Sequence, residues 1–221
     1  MHENPDAVAA RRAEALASAA ETMRAVRDRC VWTQGVTHRD LVPYLVEESA
    51  EVIDAVEAGS RDDLREELGD LLWQVLFHAE IASRDEDDPF DIDDVARVLT
   101  EKMVRRHPHV FAGEVATTPE EVLVHWNAAK AAEKRTRTSV LDGVSEHMPS
   151  LALAQKMLGR AAQVGVEAPP AVAPARTEAE LGDALLALVA EARGHGWDAE
   201  RALRERLRML RADVRAAEPP A

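Results

Sequence analysis

Apolar and polar positions repeat along most of this chain with the period of an α-helix. Leu41, Leu45, Val52 and Val56 fall on one side of a helix turning about 100° per residue, and so do Leu64, Leu71, Val75 and Ala82 in the next segment. The Ala-rich run from Ala7 to Asp28 has no internal Gly or Pro and predicts a first helix. A break is expected at "CVWTQGVTHRD", where Gly35 interrupts the pattern and Asp40 is placed to cap the following helix. That second helix, from about Leu41 to Ala58, should stop at Gly59. Ser60 and Asp63 have the spacing of a capping box for a third helix reaching about Arg84. Further helices are predicted from Ile92 to just before Pro108, from Thr118-Pro119 to about Arg135, over Ser150 to Val164, Thr177 to Arg193 and Asp198 to Ala217. The Pro/Ala stretch from Glu167 to Arg176 reads as a linker. No run alternates with period two, so the expected fold is all-α.

The two paired stripes are crowded with carboxylates. Glu48 lies beside the first stripe and Glu51 next to it; Glu67 edges the second, with Asp70 one turn on. An antiparallel hairpin through Gly59-Ser60 makes the two pairs face each other. Four ionised carboxylates around one pocket raise one another's pKa and call for a cation. All-oxygen ligation selects Mg²⁺ or Mn²⁺ over zinc. The alternative is an ordinary solvated acidic surface. A di-iron bundle needs Glu-x-x-His on two helices, which is absent, as are a His-Glu-x-x-His zinc helix and a phosphate-binding Gly-rich loop with Lys-Ser/Thr. On the fourth helix Lys102 and Arg106 align with Val95, Val98 and Leu99. They read either as snorkelling side chains or as clamps for phosphate oxygens beside the metal.

Composition narrows the partners. The chain has 221 residues, a net charge of -14 and 46% hydrophobic residues, enough for one large or two small packed domains. The acidic balance repels nucleic acid, so a phosphate-bearing ligand is expected to be small and metal-bound. No apolar run reaches the roughly 18 residues that span a bilayer, and "MHENPDAVAARRAEAL" lacks the apolar stretch of a secretory leader. With Cys30 alone no intrachain disulfide is possible, and a cytoplasmic location is expected.

The segments "CVWTQGVTH", "PYLVEESAEV", "REELGDLLWQVLFHAEIA", "RRHPHVF" and "VLVHWNAAK" together resemble the MazG-type nucleoside triphosphate pyrophosphohydrolases, over about Arg27 to Arg135. The resemblance implies an all-α helical bundle assembling at least as a dimer. It also implies Mg²⁺-dependent hydrolysis of NTPs or dNTPs to the monophosphate and pyrophosphate, by attack of water on the α-phosphorus. Carried onto this chain, the metal ligands are Glu48, Glu51, Glu67 and Asp70. Glu47 joins as a supporting group or base, with Glu51 the other candidate base. Lys102 and Arg106, with adjacent Arg105, take phosphate-contacting positions. Trp32 is placed to stack on a nucleobase, the alternative being a buried packing role. Where the family loop reads Cys-Pro-Trp-Asp, this chain has Cys30-Val31-Trp32-Thr33. His107 and His109, around Pro108, read as capping or packing groups.

An internal repeat aligns "EELGDLLWQVLFHAE" with "AELGDALLALVAEAR", placing Glu67 on Glu180 and Asp70 on Asp183. The same offset lays "EESAE" on "RAAQV", which has no carboxylate. The expected organisation is a catalytic domain over 1–135 and a degenerate, non-catalytic second repeat over 136–221. The rival functions are a nucleotide-binding regulator without turnover and an acidic helical interaction protein.

Overall fold

The computed structural model describes residues 5–133, 139–165 and 177–217. The expected linker at Glu167 to Arg176 and the expected domain boundary after 135 lie outside the described residues. All regular structure among the described residues is helical, which makes the fold all-α. The chain divides into two units, Met1–Lys130 and Ala131–Ala221.

The first unit contains α1 (Pro5–Arg29), α2 (Val31–Gly35), α3 (Val42–Ala58), α4 (Arg61–Ala82), α5 (Ile92–Arg106), α6 (Pro108–Phe111) and α7 (Pro119–Glu133), the last running just past its end. Its core is Met23 from α1, Val36 and Leu41 from the loop after α2, and Leu76 and Phe77 from α4. Arg27 is buried among them because its Nη1 donates to the Val36 carbonyl (3.0 Å) and its guanidinium lies 5.8 Å from the Phe77 ring centroid. Arg84 ties the ends of α4 and α1 together, donating to Asp28 (2.7 Å) and Glu80 (2.6 Å).

The start of α4 is set by a reciprocal capping box: Asp63 N donates to Ser60 Oγ (3.1 Å) and Ser60 N to Asp63 Oδ2 (2.7 Å). Asp91 and Asp94 do the same for α5. At the preceding turn Gly59 is extended (φ -91°, ψ -179°), so its φ does not require glycine. Space does, since a Cβ there would stand 2.7 Å from Ala55 Cα.

Several expectations need correction. Asp40 does not cap α3; its Oδ2 accepts from Thr37 N (2.9 Å) and Thr37 Oγ1 (2.7 Å), and Leu41 takes the cap position without a side-chain bond. The expected break after α1 contains a short helix, α2. It is held by buried Thr33, whose Oγ1 donates to carbonyl oxygens of Val26 (2.9 Å) and Cys30 (3.0 Å). On α3 the inward stripe ends at buried Ala55, not at Val56, which is exposed. On α4 Val75 is exposed and Gln74 buried. Val98 and Leu99 of α5 point to solvent within the chain, so only the first turns of α5 join the core, through Ile92.

The second unit contains α8 (Ser150–Ala161), a 3₁₀ turn (Ala162–Val164), α9 (Glu178–Gly194) and α10 (Ala199–Ala217), with α8 packed on both α9 and α10. Among the described residues its buried apolar positions are Ala187 and Val189. Gln155 fastens α8 to the turn before α10: its Nε2 donates to the Trp197 carbonyl (3.1 Å), and Ala199 N donates to its Oε1 (3.3 Å).

Candidate active site

The hairpin of α3 and α4 decides where the carboxylates meet. Positions equally distant from Gly59-Ser60 lie side by side, which sets Glu48 level with Leu71 and Glu51 level with Leu68. On α3, Leu41, Leu45, Glu48, Val52 and Ala55 make one inward column at three- and four-residue spacing, and Glu48 is half-buried within it. On α4, half-buried Glu67 belongs to the column of Leu64, Leu71 and Gln74. Two carboxylates are thus built into facing apolar columns.

Glu48, Glu67 and exposed Asp70 each offer an oxygen within 4.8 Å of the other two. Burial, followed by the charges of Asp70, Glu51, Glu47 and Glu67, holds the Glu48 carboxyl above its usual range. Glu67 is raised likewise, by burial first and then by Glu51, Asp70, Glu66 and Asp63. Glu51 stands outside the tight group of three but acts electrostatically on both of its half-buried members. Glu47 is exposed at the rim. An excess of negative charge that its own surroundings penalise, offered as oxygen atoms from two helices, fits a hard divalent cation.

Lys102 and Arg106 are half-buried on α5 and Arg105 is exposed. None belongs to the tight acidic group. The Arg106 guanidinium lies 4.9 Å from the ring centroid of Trp126 on α7, a partner the pattern of α5 could not reveal. His107 Nδ1 lies 2.7 Å from the Met103 carbonyl and its ring meets Trp126 edge-on at 5.3 Å, in keeping with the capping and packing reading. Trp32, on α2, is 59% exposed, which removes the buried packing alternative. Its ring meets Tyr44 edge-to-face at 6.3 Å. Tyr44 and Trp126 lie inside the segments "PYLVEESAEV" and "VLVHWNAAK", but nothing in those segments marks either ring as a partner of Trp32 or Arg106.

In the second unit Glu180 lies in the first turn of α9, where its backbone N–H donates to the cap Thr177 Oγ1 (3.2 Å). Asp183 is exposed. Among the described residues, the group of three on α3 and α4 is the one acidic, His or Cys cluster with ligand spacing.

A family model described as "MazG nucleotide pyrophosphohydrolase domain" matches residues 36–111, which hold the whole acidic group. The nucleoside triphosphate pyrophosphohydrolase of Escherichia coli K12 is 37% identical over 209 residues, covering 84% of this chain and 79% of that protein. The chain belongs to the MazG family. The Mycobacterium tuberculosis protein of the same name is 50% identical over 157 residues; these cover 71% of this chain but 48% of that protein, so the likeness spans about half of its length. The crystal structure of a mazG-related protein from Thermotoga maritima aligns with 51% of this chain and 96% of its own, with 27% identity and a TM-score of 0.45. For this MazG chain, no helix among the described residues is long and apolar enough to cross a membrane.

The raised carboxyls predict how stability follows pH without a cation. A group whose pKa is higher in the folded state holds more protons there than when unfolded. Stability therefore falls as pH rises from the ordinary glutamate range through the raised value. At neutral pH without metal, Glu48→Gln should melt above the parent. The gap should narrow as pH falls and Glu48 becomes neutral, and Mg²⁺ should raise the parent's melting temperature but not the variant's. A gap that does not change with pH would remove the electrostatic account of the cluster. Calorimetry on both proteins, from about pH 8 down through the ordinary glutamate range, measures it.

Proposed function

We propose that this chain hydrolyses nucleoside and deoxynucleoside triphosphates to the monophosphate and pyrophosphate with Mg²⁺, Mn²⁺ being the nearest chemical substitute. The observation that supports this most is the meeting of Glu48, Glu67 and Asp70 from two helices, with both half-buried members raised in pKa. These three, completed by Glu51, are the ligands. When bound, the ion supplies positive charge that lets a polyanion approach four carboxylates. Lys102, Arg105 and Arg106 supply further cations for the phosphate oxygens, and contact with Trp126 limits the freedom of Arg106. Glu47 or Glu51 orients a water and takes its proton. The water oxygen bonds to the α-phosphorus as the bond from that phosphorus to the α,β-bridging oxygen breaks, and pyrophosphate departs. The α-phosphorus is the family's expected point of attack. Trp32 stacks on the base.

The active assembly is a homodimer located in the cytoplasm. Leu68, Leu72 and Val75 of α4 and Val98 and Leu99 of α5 are exposed within one chain, an amount of apolar surface that a second copy would cover. The second unit, whose Glu180 and Asp183 belong to no acidic cluster with ligand spacing among the described residues, is a degenerate repeat without catalysis of its own.

Product analysis tests the reading. The purified chain given each NTP with Mg²⁺ should yield NMP and pyrophosphate with no NDP intermediate. NDP with inorganic phosphate would move the attack to another phosphorus. Binding without turnover would make the protein a nucleotide-binding regulator, and no effect of Mg²⁺ would leave an acidic interaction surface.

A further inference from the structure

Between α2 and the start of α3 lies an open cleft of ≈ 540 Å³ lined by Trp32, Val36, Arg39, Asp40, Pro43 and Tyr44. Its size falls within the roughly 300–1,000 Å³ of small-molecule sites. We propose that this cleft is a base pocket and that Arg39 makes it prefer guanine. The inference rests on the triphosphate reading above and adds to it the identity of the base.

The walls are aromatic and open. Trp32 is 59% and Tyr44 41% exposed, and their rings stand at 88° to each other. Two large rings left in water around one concavity offer a flat heterocycle a stacking face and an edge. The frame beneath is held firmly. Thr33 pins α2 to the end of α1, Arg27 holds the Val36 carbonyl, and Asp40 closes its turn onto Thr37. A stacked ligand therefore meets walls whose backbone is already fixed, which lowers the ordering cost of binding.

Arg39 is the cation of this lining. Its charge adds to the Thr37 hydrogen bonds in holding the adjacent Asp40 carboxyl below its usual range. The neighbouring carboxylate, Asp40, directs Oδ2 to Thr37. Arginine presents a planar fork of donors and no acceptor. Guanine offers N7 and O6 as two adjacent acceptors, whereas adenine sets the N6 donor beside N7, and cytosine likewise presents a donor at N4. A guanidinium at the edge of a stacking pocket thus accepts guanine and opposes adenine.

The cleft also lies at the right distance from the chemistry. Tyr44 and Glu48 are one turn apart on the same side of α3, about 6 Å along its axis. That is a gap a ribose can bridge, leaving the α-phosphate beside the carboxylates.

Calorimetric titration with the α,β-methylene analogues of GTP and ATP, in Mg²⁺, reads the pocket without requiring turnover. The GTP analogue should bind the parent about tenfold more tightly, the effect of one good bidentate pair. Arg39→Ala should bring the ratio of the two affinities close to one, and Trp32→Ala should weaken both analogues. Equal affinities in the parent would overturn the proposal. So would an equal loss for both analogues in Arg39→Ala, because Arg39 would then be meeting phosphate. Turnover of all NTPs without a guanine preference defeats the base pocket alone, while a guanine preference without turnover defeats the hydrolase reading alone.

Discussion

Glu67→Ala/Asp70→Ala should abolish Mg²⁺-dependent turnover while the protein stays folded. The change removes two of the three carboxylates that meet between α3 and α4 and leaves Glu48 and Glu51 on one helix. Mg²⁺ gives up its waters reluctantly, so a site reduced to one wall should not hold it against solvent. A loss of at least about a thousandfold in kcat/KM is expected, which corresponds to roughly 4 kcal/mol of transition-state stabilisation. The helices should survive: neither side chain belongs to the apolar core cluster, and removing either relieves the repulsion that adds to burial in raising Glu48. Circular dichroism and thermal melting without metal should match or exceed the parent. Glu180→Ala/Asp183→Ala is the matched comparison. It deletes the same Glu-x-x-Asp spacing from α9 and should leave turnover nearly intact. Rates of pyrophosphate release from both variants, each shown to be folded, decide the question. If the α9 variant lost turnover while the α4 variant kept it, the active site would have been assigned to the wrong half of the chain.

Local chemistry was the legible part of this fold. Ser60 with Asp63, and Gly59 before them, mark the hairpin because each acts on backbone within a few residues. The spacing of Glu48 and Glu67 was legible for the same reason, since both belong to regular columns on their helices. The errors lie where packing between elements selects among equally apolar neighbours. Val56 and Ala55 differ by 100° around α3, and the position of α4 decides that Ala55 is buried and Val56 is not. On α5, Val98 and Leu99 fit an inward pattern, yet no described element of the first unit covers them. The five-residue α2 was hidden because Thr33 holds it by bonds to Val26 and Cys30 carbonyl oxygens, and no hydrophobic period was needed. Contacts such as His38 with His78, 40 residues apart, have no sequence signature at all.

Phe77→Ala should separate folding from chemistry in the opposite direction. Phe77 is 1% exposed at the centre of the first unit, against Met23, Leu41, Val36 and Leu76, with Trp73 edge-on at 6.0 Å and Arg27 over its ring. Truncating a buried Phe costs about 3–5 kcal/mol through lost transfer energy and the cavity left behind. Arg27 raises the cost, because its charge loses a π partner while remaining buried, and burial already disfavours its charged form. For a unit of this size the melting temperature should fall by roughly 10–20 °C. None of the atoms removed touches the carboxylates. In the cold, with Mg²⁺ and nucleotide present to stabilise the folded form by mass action, turnover per folded molecule should stay within a few-fold of the parent. The acidic variant should therefore be folded and inactive, and the core variant fragile and active. A Phe77→Ala protein that melts like the parent would show that the Met23–Phe77 cluster is not the centre of this unit's stability. One that is fully folded in the cold yet inactive would show that α4 cannot hold Glu67 and Asp70 in place without that side chain.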